Sequence, residues 1–465
     1  MSPLRAVLPL FLVAFPLAAQ APAADRERAR EIYAEMIRFN TAKRSGQAGP
    51  FVQAMARRFR EAGFPEADIH VLGPNEFEQS LVVRYRGSGA KRPILLLAHL
   101  DVVPALKEDW TLDPFAFEER DGYYYGRGVL DDKGMAASLV ANLLRLRAEG
   151  FVPERDLILA LTSDEETGGE EGVGWLVRNH RALVDAEYAL NEGAGGTLRD
   201  GKPFFHSVQA AEKVYTDFSL RVTNPGGHAS VPRPDNAIYQ LTAALQRLAA
   251  YTFPVEFNEV TRAFFERTAT IEAPPMAAAI RAVLRNPRDA KAVATVARDP
   301  RYNAMLRTTC VATQLFGGHA PNALPQTARA TVNCRMMPGT SADAVRDTLR
   351  RVLADTAIGI VPLQGTITNP PSELRPDVAA AVETLTKELF GNIPVIPMMS
   401  TGATDAKFLR QVGIPTYGVT ALFVDPADAR AHGRDERVPV KSFHDAVEFH
   451  YRLIRQLAAP AKPAS

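Results

Sequence analysis

A histidine and a carboxylate stand at the end of one strongly apolar stretch of the chain. The run from Ile94 to Ala98 predicts a strand that is buried on both faces of a parallel sheet. His99 and Asp101 follow two residues apart, and because side chains alternate along a strand they point to the same side. Ligands of open α/β sheets bind beyond the carboxyl ends of strands. We therefore interpret His99 as a candidate metal ligand and Asp101 as the group that orients it.

Acidic residues follow two further predicted strands in the same way. The apolar run Leu157–Thr162 ends in Ser163–Glu166, and Tyr188–Leu190 leads into Asn191-Glu192. The pair Asp131-Asp132 precedes a predicted helix. A solvated strand end would explain any one of these groups. Three strand ends and an Asp pair together indicate a single site.

The residue types point to metal chemistry. Histidines and carboxylates without cysteine suit zinc, manganese or cobalt. The candidates outnumber the ligands of one tetrahedral ion, but they suit two ions that share a bridging carboxylate, position an attacking water and polarise a carbonyl. Glu165 and Glu166 are neighbours whose side chains diverge, so one can coordinate while the other acts as a base.

The composition sets the context for such a site. The chain has 465 residues, which predicts two or three domains. Its 54 basic and 53 acidic residues balance, so no nucleic acid is expected as a partner. Arg5 precedes a short apolar run from Ala6 to Ala19, which predicts a signal peptide over residues 1–23, with an uncleaved anchor as the alternative. We expect an exported protein, periplasmic or secreted, with no other membrane segment.

Two cysteines flank a predicted turn. Cys310 and Cys334 lie on either side of Asn322, so a hairpin folded about that turn makes them cross-strand neighbours. An oxidising compartment permits a disulfide, whereas adjacent strands often strain one, so both the bonded and the free state stay open.

The order of predicted elements indicates an α/β protein with two folding units. Buried strands alternating with helices predict a catalytic domain, discontinuous over residues 24–210 and 368–465, with a mixed, largely parallel sheet and helices on both faces. From Lys213 onwards, alternating strands predict an antiparallel sheet that is exposed on one face. We assign residues 211–367 to an inserted α+β domain, with a helical insertion at 255–305 and Asp235 as the cap of another helix.

Five stretches of the chain carry a combined signature: His99–Asp101, Gly126–Gly134, Asp164–Gly168, Gly227–Ser230 and Ala431–Gly433. Together they resemble the M20 family of metallopeptidases and amidohydrolases. They occur in the family's order and span almost the whole mature chain. Ala98 is a departure, because many members have glycine before the first histidine.

The resemblance implies a ligand set for two zinc ions, with Mn²⁺ or Co²⁺ as alternatives. His99, Asp131 and Glu192 would hold one ion. Asp131, Glu166 and His432 would hold the other, so that Asp131 bridges the two. The choice of Glu at the third acidic position loosely tracks the type of substrate in this family.

The resemblance also implies catalytic and substrate contacts. Asp101 would orient His99. Glu165 would be the general base that activates the metal-bridging water and passes its proton to the leaving amine. His228, on the inserted lid and dimerisation domain, would stabilise the oxyanion, in many members across the interface of a homodimer. Asn322 and Arg335 are the implied contacts to the substrate carbonyl or carboxylate, since an arginine can bind a free carboxylate bidentately.

Two further loops and the remaining histidines carry expectations of their own. Gly402 and Thr404 lie in a predicted loop that is expected to line the pocket, with helix capping by Asp405 as the alternative. His319, beside Asn322, is a further candidate for a substrate contact. The remaining histidines lack a pattern of acidic partners and are expected to be structural: His70, His180, His206, His444 and His450.

The helical insertion resembles the carboxypeptidase S and N-acyl-amino-acid hydrolase branch of the family. We expect an exported dizinc hydrolase that cleaves a peptide or amide bond next to a free amino-acid carboxylate, as a carboxypeptidase or dipeptidase does. An aminoacylase-type N-acyl-amino-acid deacylase is the alternative within the hydrolases. A non-catalytic binding protein that retains its metal is the alternative of another class, and Glu165 argues against it because such a protein needs no base.

Overall fold

A computed structural model of the chain describes residues 21–365 and 368–459. The predicted signal peptide lies outside the described residues except for its last three positions, and so it stays a prediction. None of the helices in the described part of the chain combines the length and apolar character that a bilayer span requires.

Helices and short strands alternate along most of this part of the chain. The strands are β1 Ile69–Leu72, β2 Ser80–Tyr85, β3 Lys91–His99, β4 Glu118–Arg120, β5 Tyr123–Tyr125, β6 Arg155–Thr162, β7 Tyr188–Asn191, β8 Gly196–Arg199, β9 Lys202–Glu212, β10 Val214–Thr223, β11 Gly227–His228, β12 Thr309–Gly317, β13 Ala323–Leu324, β14 Thr327–Met336, β15 Gly359–Pro362, β16 Val395–Ser400, β17 Thr416–Gly418, β18 Phe423–Val424 and β19 Arg437–Pro439. The helices are α1 Ala23–Ile37, α2 Ala48–Glu61, α3 Lys133–Ala148, α4 Val173–Asn179, α5 Arg181–Val184, α6 Ala237–Ala250, α7 Glu259–Thr268, α8 Pro274–Arg285, α9 Ala290–Val296, α10 Pro300–Leu306, α11 Ala342–Leu353, α12 Pro376–Phe390, α13 Ala406–Gln411 and α14 Val440–Ala458.

The larger sheet has ten strands in the order β1-β2-β6-β3-β7-β17-β9-β8-β18, with β16 paired to β9. Its central strands β6, β3, β7 and β17 are parallel to one another. Antiparallel pairs occur nearer its edges, as between β1 and β2. This confirms the predicted mixed, largely parallel sheet.

Helices cover both faces of this sheet. Ile94 and Leu96 lie in a hydrophobic cluster shared with α1, α3 and α14, whereas Leu95 and Leu97 lie in a second cluster shared with α4 and α13. Burying each of these leucine side chains stabilises the fold by roughly 1.5–3 kcal/mol relative to leaving it exposed to water. Because the apolar run is buried on both faces, it fixes the register that places His99 at the end of β3.

The smaller sheet has four antiparallel strands in the order β12-β14-β10-β15. Burial alternates along β10 and β14, and the buried side chains meet α6 and α11. Cys310 lies directly opposite Cys334, and their sulfur atoms are bonded at 2.01 Å. The cysteines are therefore cross-strand neighbours, as expected, and they form a disulfide in this structure.

Two local features differ from the sequence-based expectations. The cap of α6 is Asn236, whose side chain accepts from the N–H groups of Ile238 and Tyr239, while Asp235 pairs with Arg233.

The second difference concerns the helical insertion, α7 to α10. Its buried side chains, among them Phe264, Ile280 and Leu306, belong to the core of the larger sheet. The domain boundaries at residues 211–367 stay a prediction. They place α7 to α10 in one domain with the smaller sheet, although these helices do not share its hydrophobic core.

Candidate metal centre and active site

The candidate ligands converge because their strands are neighbours. The order β6-β3-β7 brings three carboxyl ends to one edge of the sheet. His99 ends β3, the turn Glu165–Thr167 follows β6, and Glu192 follows β7 directly. Asp131 precedes α3, and His432 lies in the loop between β18 and β19. Five residues from distant parts of the chain thus meet at one place.

The five residues form two groups that share Asp131. His99, Asp131 and Glu192 form one group, and within it each residue offers a ligand atom within 4.8 Å of the others. Asp131, Glu166 and His432 form the other group on the same criterion. The two carboxylate oxygens of Asp131 face the two histidines, at 2.9 Å from His99 Nε2 and 3.1 Å from His432 Nε2. The structure therefore brings together both expected sets, and their role as ligands stays a prediction.

The electrostatics of the centre follow from burial and from the crowding of charges. Burial favours the neutral ring of His99, but hydrogen bonds with Asp101 and Asp131 outweigh it and hold the pKa of His99 well above its usual value. Hydrogen bonds with Asp131 and Glu166 raise the pKa of His432 to about 10.

The pKa values of Glu165 and Glu192 are raised, whereas a carboxyl group in a salt bridge has a lowered pKa. Burial, with the negative charges of Asp405, Asp101 and Glu166, raises the pKa of Glu165 well above its usual range. Burial and the charge of Glu165 do the same to Glu192.

The donor set fits divalent cations. Imidazole nitrogens and carboxylate oxygens are the ligands that zinc and manganese accept. Oε1 of Glu166 is buried and has no hydrogen-bond partner among the described residues. Four carboxylates crowd against two histidines here, and cations between them would relieve that repulsion and satisfy the unpaired oxygen.

Asp101 contacts His99 through its main chain, and it contacts the turn that carries Glu165 and Glu166 through its side chain. Nδ1 of His99 donates to the main-chain oxygen of Asp101 at 3.0 Å, while the nearest carboxylate oxygen lies 3.6 Å away. The carboxylate accepts from the N–H groups of Glu165 at 3.2 Å and Glu166 at 3.0 Å. Asp101 thus orients the ring mainly through its carbonyl and positions both glutamates through its side chain.

Glu436 is a positioning residue that the sequence reasoning missed. Its buried carboxylate accepts from the N–H groups of Gly128, Leu130 and Asp131, at 3.0, 2.8 and 3.2 Å, and pairs with Arg127 at 2.7 Å. It therefore ties the loop that carries Asp131 to the segment that carries His432. The sequence offered one signal for this role, which is that Glu436 lies four residues after His432. That spacing alone does not connect Glu436 to the loop of Asp131, some three hundred residues earlier.

A cavity of about 1100 Å³ opens onto the centre. Asp131, Glu165, Glu166, Glu192 and His432 line one part of it, and Lys213, Tyr215 and Arg335 line another. The guanidinium of Arg335 lies over the ring of Tyr215, 4.7 Å from its centroid.

Lys213 is another basic residue at this cavity, and the sequence reasoning did not single it out. Its ammonium group donates to the carbonyl of Arg307 at 2.6 Å. Burial and the positive charges of Arg335 and Arg307 lower the pKa of Lys213 to about 7. An anion between Lys213 and Arg335 would stabilise the charged ammonium group.

Gly402 and Thr404 line the cavity as expected, but the Thr404 hydroxyl has partners within the protein. It donates to Glu212 at 2.5 Å and accepts from Asn191 Nδ2 at 3.2 Å. Asp405 does not cap α13 through its side chain; it accepts from the hydroxyl of Thr162 at 3.0 Å. A direct contact of Thr404 with substrate stays a prediction.

Two candidates lie away from this cavity. His228 is exposed on β11, where its Nδ1 accepts from the hydroxyl of Ser230 at 2.6 Å. The carbonyl of Asn322 accepts from the N–H group of Ala229 at 2.9 Å. The structure thus places His228 and Asn322 near each other, but neither lines the cavity that the described residues enclose.

Comparison with known proteins decides the family. A sequence profile of Peptidase family M20/M25/M40 matches residues 95–456. The chain belongs to this family. The M20 assignment covers every candidate ligand from His99 to His432, and it confirms the resemblance drawn from the sequence.

Individual M20 proteins show the same similarity. The chain is 30% identical to human N-fatty-acyl-amino acid synthase/hydrolase PM20D1 over 389 residues, 80% of this chain and 76% of that protein. It is 31% identical to probable carboxypeptidase S-like 2 of Dictyostelium discoideum over 389 residues, 81% and 74% of the two chains.

Solved structures share the fold. The M20 metallo-carboxypeptidase Sso-CP2 of Sulfolobus solfataricus superposes with a TM-score of 0.69 at 17% identity, covering 92% of this chain and 98% of that one. The YXEP protein of Bacillus subtilis, described as a dinuclear metal binding peptidase from the M20 family, gives 0.60 at 14% identity, covering 93% and 98%. The protein is therefore a hydrolase of a metal-dependent family with the expected α/β fold.

Proposed function

We propose that this M20 hydrolase cleaves the amide bond next to a free amino-acid carboxylate, as a two-metal peptidase of the carboxypeptidase or dipeptidase type. One observation carries the proposal. A single cavity is lined by the candidate metal ligands and also by Lys213 and Arg335. A substrate with a carboxylate near its scissile bond would meet Lys213, Arg335 and the acidic centre together.

The chemistry of the centre follows from its residues. We propose that His99, Asp131 and Glu192 hold one zinc ion and that Asp131, Glu166 and His432 hold the second. Bound there, the ions would polarise the scissile carbonyl and increase the acidity of the attacking water.

Glu165 is the proposed proton carrier. Its carboxylate lines the cavity but belongs to neither ligand group, so it is available to take a proton from the attacking water. It then gives that proton to the leaving nitrogen, which completes the hydrolysis. Asp101 accepts from the N–H group of Glu165 and so holds the main chain of Glu165 in place.

The proposed active unit is an exported homodimer. His228 is exposed and does not line the cavity of its own chain, so its proposed role at the oxyanion requires a second copy. β12 is an edge strand of the smaller sheet with exposed Val311, Leu315 and Phe316, which suits contact between copies. The disulfide between Cys310 and Cys334 supports an oxidising compartment.

The test is amine release by zinc-loaded protein from a matched panel. The panel holds dipeptides, longer peptides with free C-termini, the same peptides amidated, and N-acyl amino acids. We expect turnover of the free-carboxylate peptides and none of the amides. Turnover of N-acyl amino acids alone would move the enzyme to the deacylases. No turnover of any member would overturn the proposal and favour a binding protein.

A further inference from the structure

Two buried charged residues mark the point where the chain crosses from the larger sheet to the smaller one. β9 ends at Glu212, Lys213 follows, and β10 begins at Val214. The side chain of Lys213 reaches toward β12, where its ammonium group lies 3.4 Å from the hydroxyl of Thr309. The side chain of Glu212 makes its contacts on the side of the larger sheet. Consecutive residues therefore anchor the crossing to the two sheets.

The carboxylate of Glu212 is fully buried, with 0% exposure, and is surrounded by donors. It accepts from Gln209 Nε2 at 2.8 Å and Asn369 Nδ2 at 3.0 Å. It also accepts from the Thr404 N–H group at 3.2 Å and hydroxyl at 2.5 Å, and it lies 3.3 Å from Arg410 Nη1. The Glu212 carboxylate thus connects three parts of the chain. They are β9, the segment around Asn369 that returns to the larger sheet, and the loop after β16.

Three of these partners form part of the cavity wall. Gln209, Asn369 and Thr404 all line the cavity, whereas Glu212 itself does not. None of the three is a candidate metal ligand. Glu212 is therefore the common anchor of a wall that faces the substrate but not the ions. Moving that wall would change how a substrate sits without changing the metal centre.

We propose that Glu212 is a positioning residue for the substrate, acting through Gln209, Asn369 and Thr404. This inference rests on the proposed function, because it needs a substrate in this cavity. The carboxylate holds the wall in register with Lys213, which follows it in sequence and lines the same cavity. Lys213 and the three wall residues are proposed to contact the substrate. Glu212 thereby holds them in fixed positions relative to each other at the point where the chain crosses between the sheets.

The test replaces Glu212 by glutamine. Glu212→Gln keeps the shape but replaces one carboxylate oxygen, which only accepts, by an NH2 group, which only donates. We expect KM to rise about tenfold or more while kcat changes by less than about threefold. Metal content should stay at the wild-type value. Amide hydrogen exchange should become faster at Thr404, whose N–H group donates to this carboxylate.

A matched control separates positioning from stability. Glu448→Gln removes another buried carboxylate, which pairs with Arg452 of the same helix at 2.5 Å and with Arg145 of α3 at 3.4 Å and does not line the cavity. It should lower the melting temperature but leave KM and the exchange at Thr404 unchanged. If both variants raise KM alike, Glu212 acts through general stability and the inference is wrong.

A second variant keeps the test decisive if Glu212→Gln does not fold. Thr404→Val removes one donor to Glu212 and should raise KM without loss of metal, whereas an unchanged KM would contradict the inference. Hydrogen exchange is measured without substrate, so it tests the anchoring even if no panel member is turned over. Faster exchange with no turnover by the wild type would count against the proposed function alone. Unchanged exchange at Thr404 would overturn the anchoring by Glu212.

Discussion

Histidine behaves in opposite ways in two regions of this molecule. At the carboxyl edge of the larger sheet, the pKa values of His99 and His432 are raised. In the hydrophobic core behind it, burial lowers the pKa of His206 to about 3 and that of His450 to about 4. His99 and His206 are equally buried, with 1% and 0% exposure, so burial itself does not separate them.

The neighbours make the difference. The edge histidines face carboxylates, which stabilise positive charge, whether a proton or a metal ion. Among the described residues, the hydrogen-bond partners of the core histidines are neutral: His206 meets the hydroxyl of Thr386, and His450 meets Ser138 and the carbonyl of Val419. The carboxylates make the edge suited to cations, and the core keeps its imidazoles neutral.

The largest effect is expected from Asp131→Asn. Both ligand groups share Asp131, so the change should remove more than one ion per chain and abolish turnover. The loss of metal affinity should exceed the roughly 10–100-fold typical of residues behind the ligands. Metal analysis after dialysis measures it. Asp156→Asn, which removes a carboxylate paired with Arg84, is the control and should keep its metal.

Glu165→Gln should separate proton transfer from metal binding. Because Glu165 belongs to neither ligand group, we expect kcat to fall by about 10²–10⁴-fold with the metal content unchanged. Glu166→Gln, its neighbour within a group, should instead lower the metal content. Steady-state kinetics and metal analysis on the same samples distinguish the two. Loss of metal from Glu165→Gln would make Glu165 a ligand and not a base.

The two halves of the centre should also differ from each other. The side chain of His99 is 1% exposed and that of His432 is 53% exposed. A chelator should therefore remove the ion near His432 first and give two phases of metal loss. His432→Ala should abolish the faster phase and leave the slower one. A single phase in the wild-type protein would show that the two halves release their ions together.

Much of the edge could be predicted from the sequence. The run Ile94–Ala98 is apolar without alternation, which predicts a strand buried on both faces and so the position of His99 at its end. The same logic applies to Glu192 after β7. These predictions succeed because local pattern and burial agree.

Other parts of the molecule depend on pairings that no local pattern carries. Glu436 contacts the loop of Asp131 only because the fold brings two distant segments together. The amphipathic helices α7 to α10 each have an apolar face, but that face does not say which core it joins. The return of the chain at Asn369 likewise meets Glu212 only in three dimensions. Such contacts follow from topology rather than from spacing.

The smallest effect concerns the core histidines and appears as a pH dependence of stability. An unfolded histidine has a pKa of about 6.5. Since the folded values are lower, the unfolded chain binds more protons below that pH. The stabilisation is thus complete above about pH 6.5 and is lost as the pH falls toward the folded pKa values, at up to about 1.4 kcal/mol per pH unit for each histidine.

His206→Phe tests this directly, because the ring already lies among Phe390, Phe423 and Phe449. Between pH 6.5 and 5, urea unfolding of the variant should show a shallower loss of stability than the wild type, while turnover at pH 7.5 is retained. His319→Phe, at an exposed position, should keep the wild-type slope. If His206→Phe keeps that slope as well, the ring takes up protons alike in the folded and unfolded states, and the contrast between the core and the candidate metal-binding edge disappears.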